Sequence, residues 1–374
     1  MSNVSVFTEW DPLEEIIVGR AQDIRIPMAD PGLWAVEYRD QCAMAEIPSG
    51  PHCEQIIAET EEDLTELVEA FEDLGVVVKR PQAMDHSQVF ATPDWQSDGQ
   101  QNYCPRDLFV AIGNWMIEAP MTLRSRHFET LAYRDIMLSY LKSGCRWIAA
   151  PKPRLTDDMY VLNGHVNDHV NGHSNGNRNG SSNYNGHFSG YPNGGGIAIR
   201  EYEPVFDAAN ILRIGRDILY LVSDTGNRLG AQWLQTVLGA EFKVHTYENV
   251  YNGSHVDTTI TLVRPGLVVV NAERVGPHNL PDLFAGWDVI YLDEVVDIGY
   301  SGPCTTSEWI GMNFMMVNQG LAIVDATQTP LIRQLAKRKV DVIPLRLRHA
   351  RTLAGGFHCV TLDVRRRGGI ETYC

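Results

Sequence analysis

Apolar positions along this chain follow two rhythms. Between residues 54 and 74, Leu64, Leu67, Val68 and Phe71 recur at three- and four-residue spacing with acidic residues between them, and Gly75 follows as a stop. That spacing predicts an amphipathic helix. Elsewhere the apolar residues come in short β-branched runs. Asp11-Pro12 leads into Ile16-Ile17-Val18, which ends at Gly19, and Val76-Val77-Val78 follows the helix; both runs read as buried strands. Residues 108–113 and 115–119 predict a hairpin around Gly113-Asn114, then a long helix from 126 to about 142 and a strand over 146–149. Residues 210–222 read as two strands joined at Gly215-Arg216-Asp217, with a helix over 229–238. A further hairpin pairs 259–263 with 267–271 across Arg264-Pro265-Gly266. Residues 311–317 and 321–325 form the last pair, ahead of a helix over 329–338 and a strand over 340–345. Strand pairs alternating with helices mark an α/β chain, consistent with internal structural repeats although no sequence period demonstrates them.

Two stretches break this pattern. Residues 25–53 carry prolines at 27, 31 and 48 and little periodicity, so irregular structure with short helical pieces is expected. Residues 163–196 are built of Asn, Gly, His and Ser with almost no aliphatic side chains, too little apolar surface to offset the entropy of ordering. They read as a disordered surface insertion in an otherwise single domain spanning 1–374. His165, His169 and His173 lie four residues apart, a spacing that on a helix would suit a metal, but the Asn and Gly between them oppose a helix. No metal is expected there.

A hydrophobic fraction of 44% over 374 residues supplies a substantial core, and no segment has the continuous apolar length of a membrane span. The N-terminus lacks a basic region followed by an apolar run, so a cytoplasmic location is expected. Seven cysteines without metal-ligand spacing read as reduced thiols. The net charge of −16 repels nucleic acid and anionic membranes and favours cationic ligands. Arg365-Arg366-Arg367 is the most basic short run and reads as a surface or interface feature.

Candidate chemistry begins near the C-terminus. In Gly355-Gly356-Phe357-His358-Cys359 the glycines allow a sharp turn and close approach to a ligand just before an alternating strand, which presents the cysteine. A free cysteine is more often a small core residue, so its partners decide. Asp207, in the block EPVFDAAN, and His255 with Asp257, in GSHVDT, supply the base and carboxylates that a thiol nucleophile requires. Plainer readings exist for each: Asp107 and Asp207 as turn residues or caps, His255 as a satisfied polar residue, Arg274 as a salt-bridge partner. His358 would point to the opposite face from Cys359 in an extended segment and is not chosen as the base. Cys42, Cys53, Cys104, Cys145, Cys304 and Cys374 are given structural roles or none.

The blocks FDAAN, GSHVDTT and GGFHCVTLDVRRRG, with EWDPLEEIIVG, CPRDLFVAIGNWMIEAPM and APKPRLTDDMY upstream in fixed order, resemble the arginine-dependent amidinotransferases. APKPRLTDDMY, EPVFDAANILR, VDIGYSG and RTLAGGFHC are most similar to inosamine-phosphate amidinotransferases of aminocyclitol antibiotic pathways. The resemblance implies a five-bladed α/β propeller, the pentein fold, with pseudo-fivefold symmetry and an active site in a central channel. It implies transfer of an amidino group from L-arginine to a primary amine, release of L-ornithine, no cofactor and a possible homodimer. Cys359 would be the nucleophile, His255 the acid and base, and Asp207 the residue holding the His255 ring. Asp107 and Asp257, the latter two residues after His255 and so on one strand face with it, would hold the guanidinium. Arg274 would bind the α-carboxylate of arginine, and Thr306 and Ser307 would contact its amino-acid end. Asn252 and Ser254 stand where the family varies with acceptor, and the small Ser254 leaves room for a large one such as scyllo-inosamine 4-phosphate. Lysine, glycine or a toxin precursor as acceptor, water as in an arginine deiminase, and a noncatalytic scaffold are the competing readings.

Overall fold

A computed structural model of the chain describes residues 3–162 and 196–373. All but the last residue of the 163–196 insertion, with its three spaced histidines, and Cys374 lie outside the described residues. The fold is α/β, and the described residues contain five three-stranded sheets of one plan. In each, the first two strands pair antiparallel and the third lies parallel to the second. Phe109–Ile112, Trp115–Glu118 and Arg146–Ala149 form one such sheet. Ile211–Ile214, Asp217–Leu221 and Lys243–Tyr247 form the next. Ile260–Arg264, Leu267–Asn271 and Asp288–Leu292 follow, then Met315–Asn318, Leu321–Asp325 and Asp341–Leu345. The remaining sheet joins the two ends of the chain: Thr361–Arg366 pairs with Leu13–Val18, which pairs with Val77–Lys79.

Parallel neighbours need a crossover, and this explains the alternation of strand pairs with helices. Glu54–Asp73, Arg134–Lys142, Arg228–Leu238 and Thr329–Lys337 lie in four of the five crossovers, and the 3₁₀ turn Asp282–Phe284 lies in the other. Burial falls from first strand to third. Ile211–Ile214 and Leu267–Asn271 are buried throughout, whereas Lys243–Tyr247 and Asp341–Leu345 are partly exposed. The strand expected to be buried at 76–78 is one of these outer edges: it spans Val77–Lys79, and Val77 is 49% exposed.

Two other element boundaries differ from expectation for a common reason. The helix expected from 126 begins at Arg134, after the 3₁₀ turns Arg124–Arg126 and Glu129–Tyr133. Arg124, Arg126 and Glu129 are buried there in specific ion pairs, which a helix with one apolar stripe does not accommodate. The strand expected from 311 starts at Met315, because Glu308–Met312 is a 3₁₀ turn. Within 25–53 the short pieces include a π-turn, Trp34–Tyr38, and the paired strands Arg25–Ile26 and Gly50–Pro51.

The triple-arginine run is not a surface feature at its centre. Arg366 is 1% exposed and donates to Asp363 at 2.6 Å. Asp363 also accepts from Arg106 at 2.9 Å and Arg213 at 2.8 Å, and Arg213 holds Glu9 at 2.7 Å. Such a cluster survives burial because each charge is paired. Among the described residues, no helix is long and apolar enough to cross a membrane.

Candidate active site

The site is assembled from the turn that immediately precedes the first strand of each sheet. Asp107 lies in the helical turn Pro105–Leu108, before Phe109–Ile112. Asp207 precedes the 3₁₀ turn Ala208–Asn210, His255 and Asp257 belong to the turn around Val256–Thr258, and Asn313 follows Glu308–Met312. Cys359 comes two residues before Thr361–Arg366. Asp107, Asp207, His255, Asp257 and Cys359 all line one cavity of about 690 Å³.

Cys359 is 3% exposed. Its sulfur lies 3.3 Å from Asp257 Oδ2 and accepts a hydrogen bond from Asn313 Nδ2 at 3.0 Å. Asn313 Oδ1 in turn accepts from the backbone N–H groups of His358 and Cys359, at 2.9 and 3.2 Å. This contact explains Gly356, where a Cβ would stand 2.7 Å from Asn313. At Gly355 a Cβ would stand 2.7 Å from Cys104 Sγ. The glycines thus permit approach to neighbouring protein rather than to a ligand, and the left-handed backbone of the turn falls on Ala354, at φ 59°. Burial, then the Asp257 carboxylate, push the Cys359 thiol well above its ordinary pKa.

The His255 ring is held between two carboxylates. Nε2 lies 3.2 Å from Asp207 Oδ2, and Nδ1 lies 3.5 Å from Asp107 Oδ1. Asp207 Oδ1 accepts from the Thr122 backbone N–H at 3.0 Å, and Asp107 Oδ2 pairs with Arg126 at 2.7 Å. Burial disfavours the imidazolium, but Asp107, Asp207 and Asp257 together outweigh it and raise His255 to about 9. His255 is therefore an acid at neutral pH. Asp107 Oδ1 and Asp257 Oδ1 are buried without a hydrogen-bond partner. Asp107 Oδ1 has ionic contact with His255 but no hydrogen bond, and two such oxygens on one cavity can accept from a planar, five-donor guanidinium.

His255 and Asp257 do not share a strand face: His255 is extended and Asp257 sits in a 3₁₀ turn. The segment holding His358 is likewise a turn, not a strand. His358 is buried beneath the site, with Nδ1 3.0 Å from Asp257 Oδ2 and Nε2 3.3 Å from Glu9. Thr306, Ser307, Asn252 and Ser254 line the cavity, as does Cys304. Arg274 stands behind its wall, stacked 3.6 Å from the Tyr251 ring centre and donating to Ser307 Oγ at 2.7 Å. Sequence reasoning passed over Asn313, Arg126 and Glu37, the last two on the cavity wall. Among the described residues, no group of three or more His, Cys, Asp or Glu side chains is arranged to hold a metal ion.

No family model matches the chain. It is 50% identical over 375 aligned residues to inosamine-phosphate amidinotransferase 1 of Streptomyces glaucescens, covering 100% of this chain and 99% of that one. The solved structure of an inosamine-phosphate amidinotransferase from Streptomyces griseus superposes with a TM-score of 0.90 at 48% identity, over 100% of this chain and 99% of the other. DDAH from Pseudomonas aeruginosa shares the fold at a TM-score of 0.57 and 12% identity, over 94% of this chain and 99% of its own. With half its residues identical to a full-length relative and the fold retained throughout, this chain belongs to the amidinotransferase family.

Proposed function

We propose that this protein transfers the amidino group of L-arginine to a primary amine through an amidino-Cys359 intermediate, releasing L-ornithine. The unsatisfied oxygens of Asp107 and Asp257, in the cavity that holds the Cys359 thiol, carry this reading. A guanidinium between those carboxylates adds positive charge beside the sulfur and offsets the Asp257 charge that holds the thiol protonated, so the thiol releases its proton to solvent and the thiolate forms when the substrate arrives. Cys359 Sγ attacks the guanidinium carbon, and protonated His255 gives its proton to the departing ornithine nitrogen. The neutral imidazole then takes a proton from the acceptor nitrogen as that nitrogen attacks the amidino carbon. The C–S bond breaks and the thiolate returns. Asp207 holds the His255 ring in place. Arg274, joined to Ser307, is assigned with Thr306 to the amino-acid end of arginine, and Asn252 and Ser254 to the acceptor.

The leading acceptor is scyllo-inosamine 4-phosphate, because the half-identical Streptomyces relative is named for an inosamine phosphate and Ser254 leaves space beside His255. That acceptor assigns the reaction to aminocyclitol antibiotic synthesis. We read the five sheets as blades of a closed five-bladed propeller with the cavity in its channel, on the recurring strand order and the five pre-strand turns. A homodimer is included on the family resemblance alone, and sedimentation checks it. The chain is read as one domain: Val161 donates to Ala198 at 2.8 Å across the base of the insertion, so deleting 163–196 leaves a short gap and is expected to spare transfer.

Intact-mass analysis after incubation with L-arginine alone, beside Cys359→Ala, tests the reading. An amidine-sized adduct with stoichiometric ornithine, both absent from the variant, is expected. Turnover to citrulline would make the protein a hydrolase, and binding without adduct or product would make it noncatalytic.

A further inference from the structure

We propose that Glu37 is the base that converts the incoming ammonium into the free amine that attacks amidino-Cys359. The proposal rests on the transfer reaction described above and begins from a count of protons. An aliphatic amine has a pKa of about 10 and reaches the site as R–NH₃⁺. In the guanidinium product the same nitrogen keeps one hydrogen. Two protons must leave it, and the neutral His255 left by the first half-reaction accepts one. A second acceptor in the same cavity completes the balance.

Glu37 has the required position. Its side chain lines the cavity with His255 and Cys359, on the wall formed by the π-turn Trp34–Tyr38. Isolated π-turns are frequent at functional sites because they re-aim one side chain within a helix. This one is anchored by Asp30, which accepts from the backbone of Gly32 and Leu33 at 2.7 and 3.1 Å. Gln100 faces the Glu37 carboxylate and favours its charged form, and Gln100 is itself fixed by Ser125 Oγ on its carbonyl oxygen at 2.9 Å. The charged groups facing Glu37 are Arg126, Asp207 and His255, with Tyr38 beside it on its own turn. Other carboxylates of the cavity are committed elsewhere: Asp107 to Arg126 and His255, Asp207 to His255 and Thr122, Asp257 to His358 and Cys359, Asp224 to Arg39 at 2.7 Å, and Asp40 to Arg39 at 3.8 Å. Burial raises the Glu37 carboxyl to about 7, which lets it take a proton from an ammonium and return it to water between turnovers near neutral pH.

In the step itself R–NH₃⁺ gives one proton to the Glu37 carboxylate. The freed lone pair forms the new C–N bond, the second proton passes to His255, and the C–S electrons return to sulfur.

The test separates the two half-reactions in Glu37→Gln. The protein is loaded with L-arginine, the adduct is quantified by intact mass, and its discharge is timed with two acceptors. One is an ammonium at neutral pH: inosamine phosphate or, where that does not discharge the wild-type adduct, L-lysine. The other is hydroxylamine, uncharged at neutral pH and in need of one base only. We expect loading and hydroxylamine discharge at the wild-type rate, and ammonium discharge slowed about 100-fold at pH 7. Ammonium discharge should recover as pH rises toward the pKa of the amine, and Glu37→Asp should restore part of it. Equal slowing with both acceptors, wild-type discharge with the ammonium, or a variant that does not load would overturn the role of Glu37. A wild-type protein that forms no adduct overturns the transfer reading itself, and this proposal with it.

Discussion

Asn313 donates its side-chain amide to the sulfur of Cys359 across 3.0 Å. The same side chain accepts the backbone N–H of Cys359 at 3.2 Å, so it shapes the turn and stabilises negative charge on the sulfur it presents. A hydrogen bond to a charged group contributes about 1.5–3 kcal/mol. Asn313→Ala should therefore slow amidination of Cys359 by about 10- to 100-fold. Single-turnover ornithine release measures this, and a wild-type rate would remove Asn313 from the reaction.

Asp257 acts in opposite directions before and after arginine binds. Without substrate it adds to the effect of burial in holding the Cys359 thiol protonated. With substrate it is one of the two carboxylates assigned to the guanidinium. Asp257→Asn should thus speed alkylation of ligand-free Cys359 by iodoacetamide at pH 7, by about tenfold for each pKa unit recovered. Arginine turnover should fall in the same variant. Alkylation that slows together with turnover would show a collapsed site rather than a relieved thiol.

The acidity of His255 sets the alkaline limit of the first half-reaction. His255 must carry its proton to release ornithine, and its carboxylate partners raise it from 6.5 to about 9. kcat/KM for arginine should fall as pH rises through about 9. Because the folded value lies above the unfolded one, the stability that His255 gains from these partners is full below 6.5 and is lost as pH climbs through about 9. Asp207→Asn removes a hydrogen bond and a charge that favour the imidazolium, so its alkaline limb should move to lower pH. Superimposable pH profiles for the two proteins would assign the limb to another group.

The parts of the site legible in the sequence are those placed where local pattern changes. Cys359, His255, Asp207 and Asp107 each lie in a turn just before an apolar strand, so a reactive side chain at a break in the pattern marks it. Asn313 carries no such mark. It sits among Met312, Phe314 and Met315, and its role arises because Gly356, remote in sequence, leaves room for it beside the sulfur. Glu37 lies in the proline-broken stretch whose periodicity predicts nothing. Arg366 misleads for a related reason. Three consecutive arginines read as a surface or interface feature, and only contacts with Asp363 and the backbone of Asp11 and Met316 show why the middle one is buried.

Those same contacts define a charge cluster whose loss has a distinctive pH signature. Asp363 is fully buried and accepts from Arg106, Arg213 and Arg366, whose positive charges hold its carboxyl well below the usual range against the cost of burial. The cluster continues through Glu9 and His358 to Asp257, so it also supports the wall behind Cys359. Asp363→Asn keeps the shape but leaves three buried guanidinium groups short of a partner charge. Removing one member of a buried ion cluster costs about 3–5 kcal/mol. Since the folded pKa of Asp363 is depressed, its stabilisation is present above the ordinary carboxylate pKa of about 4 and is lost as pH falls below it. Urea denaturation at pH 7 should show the full difference between variant and wild type, and the gap should narrow progressively below about pH 4. A gap that stays constant across that range would assign the loss to packing, because the packing of the asparagine is indifferent to pH and the charge of the aspartate is not.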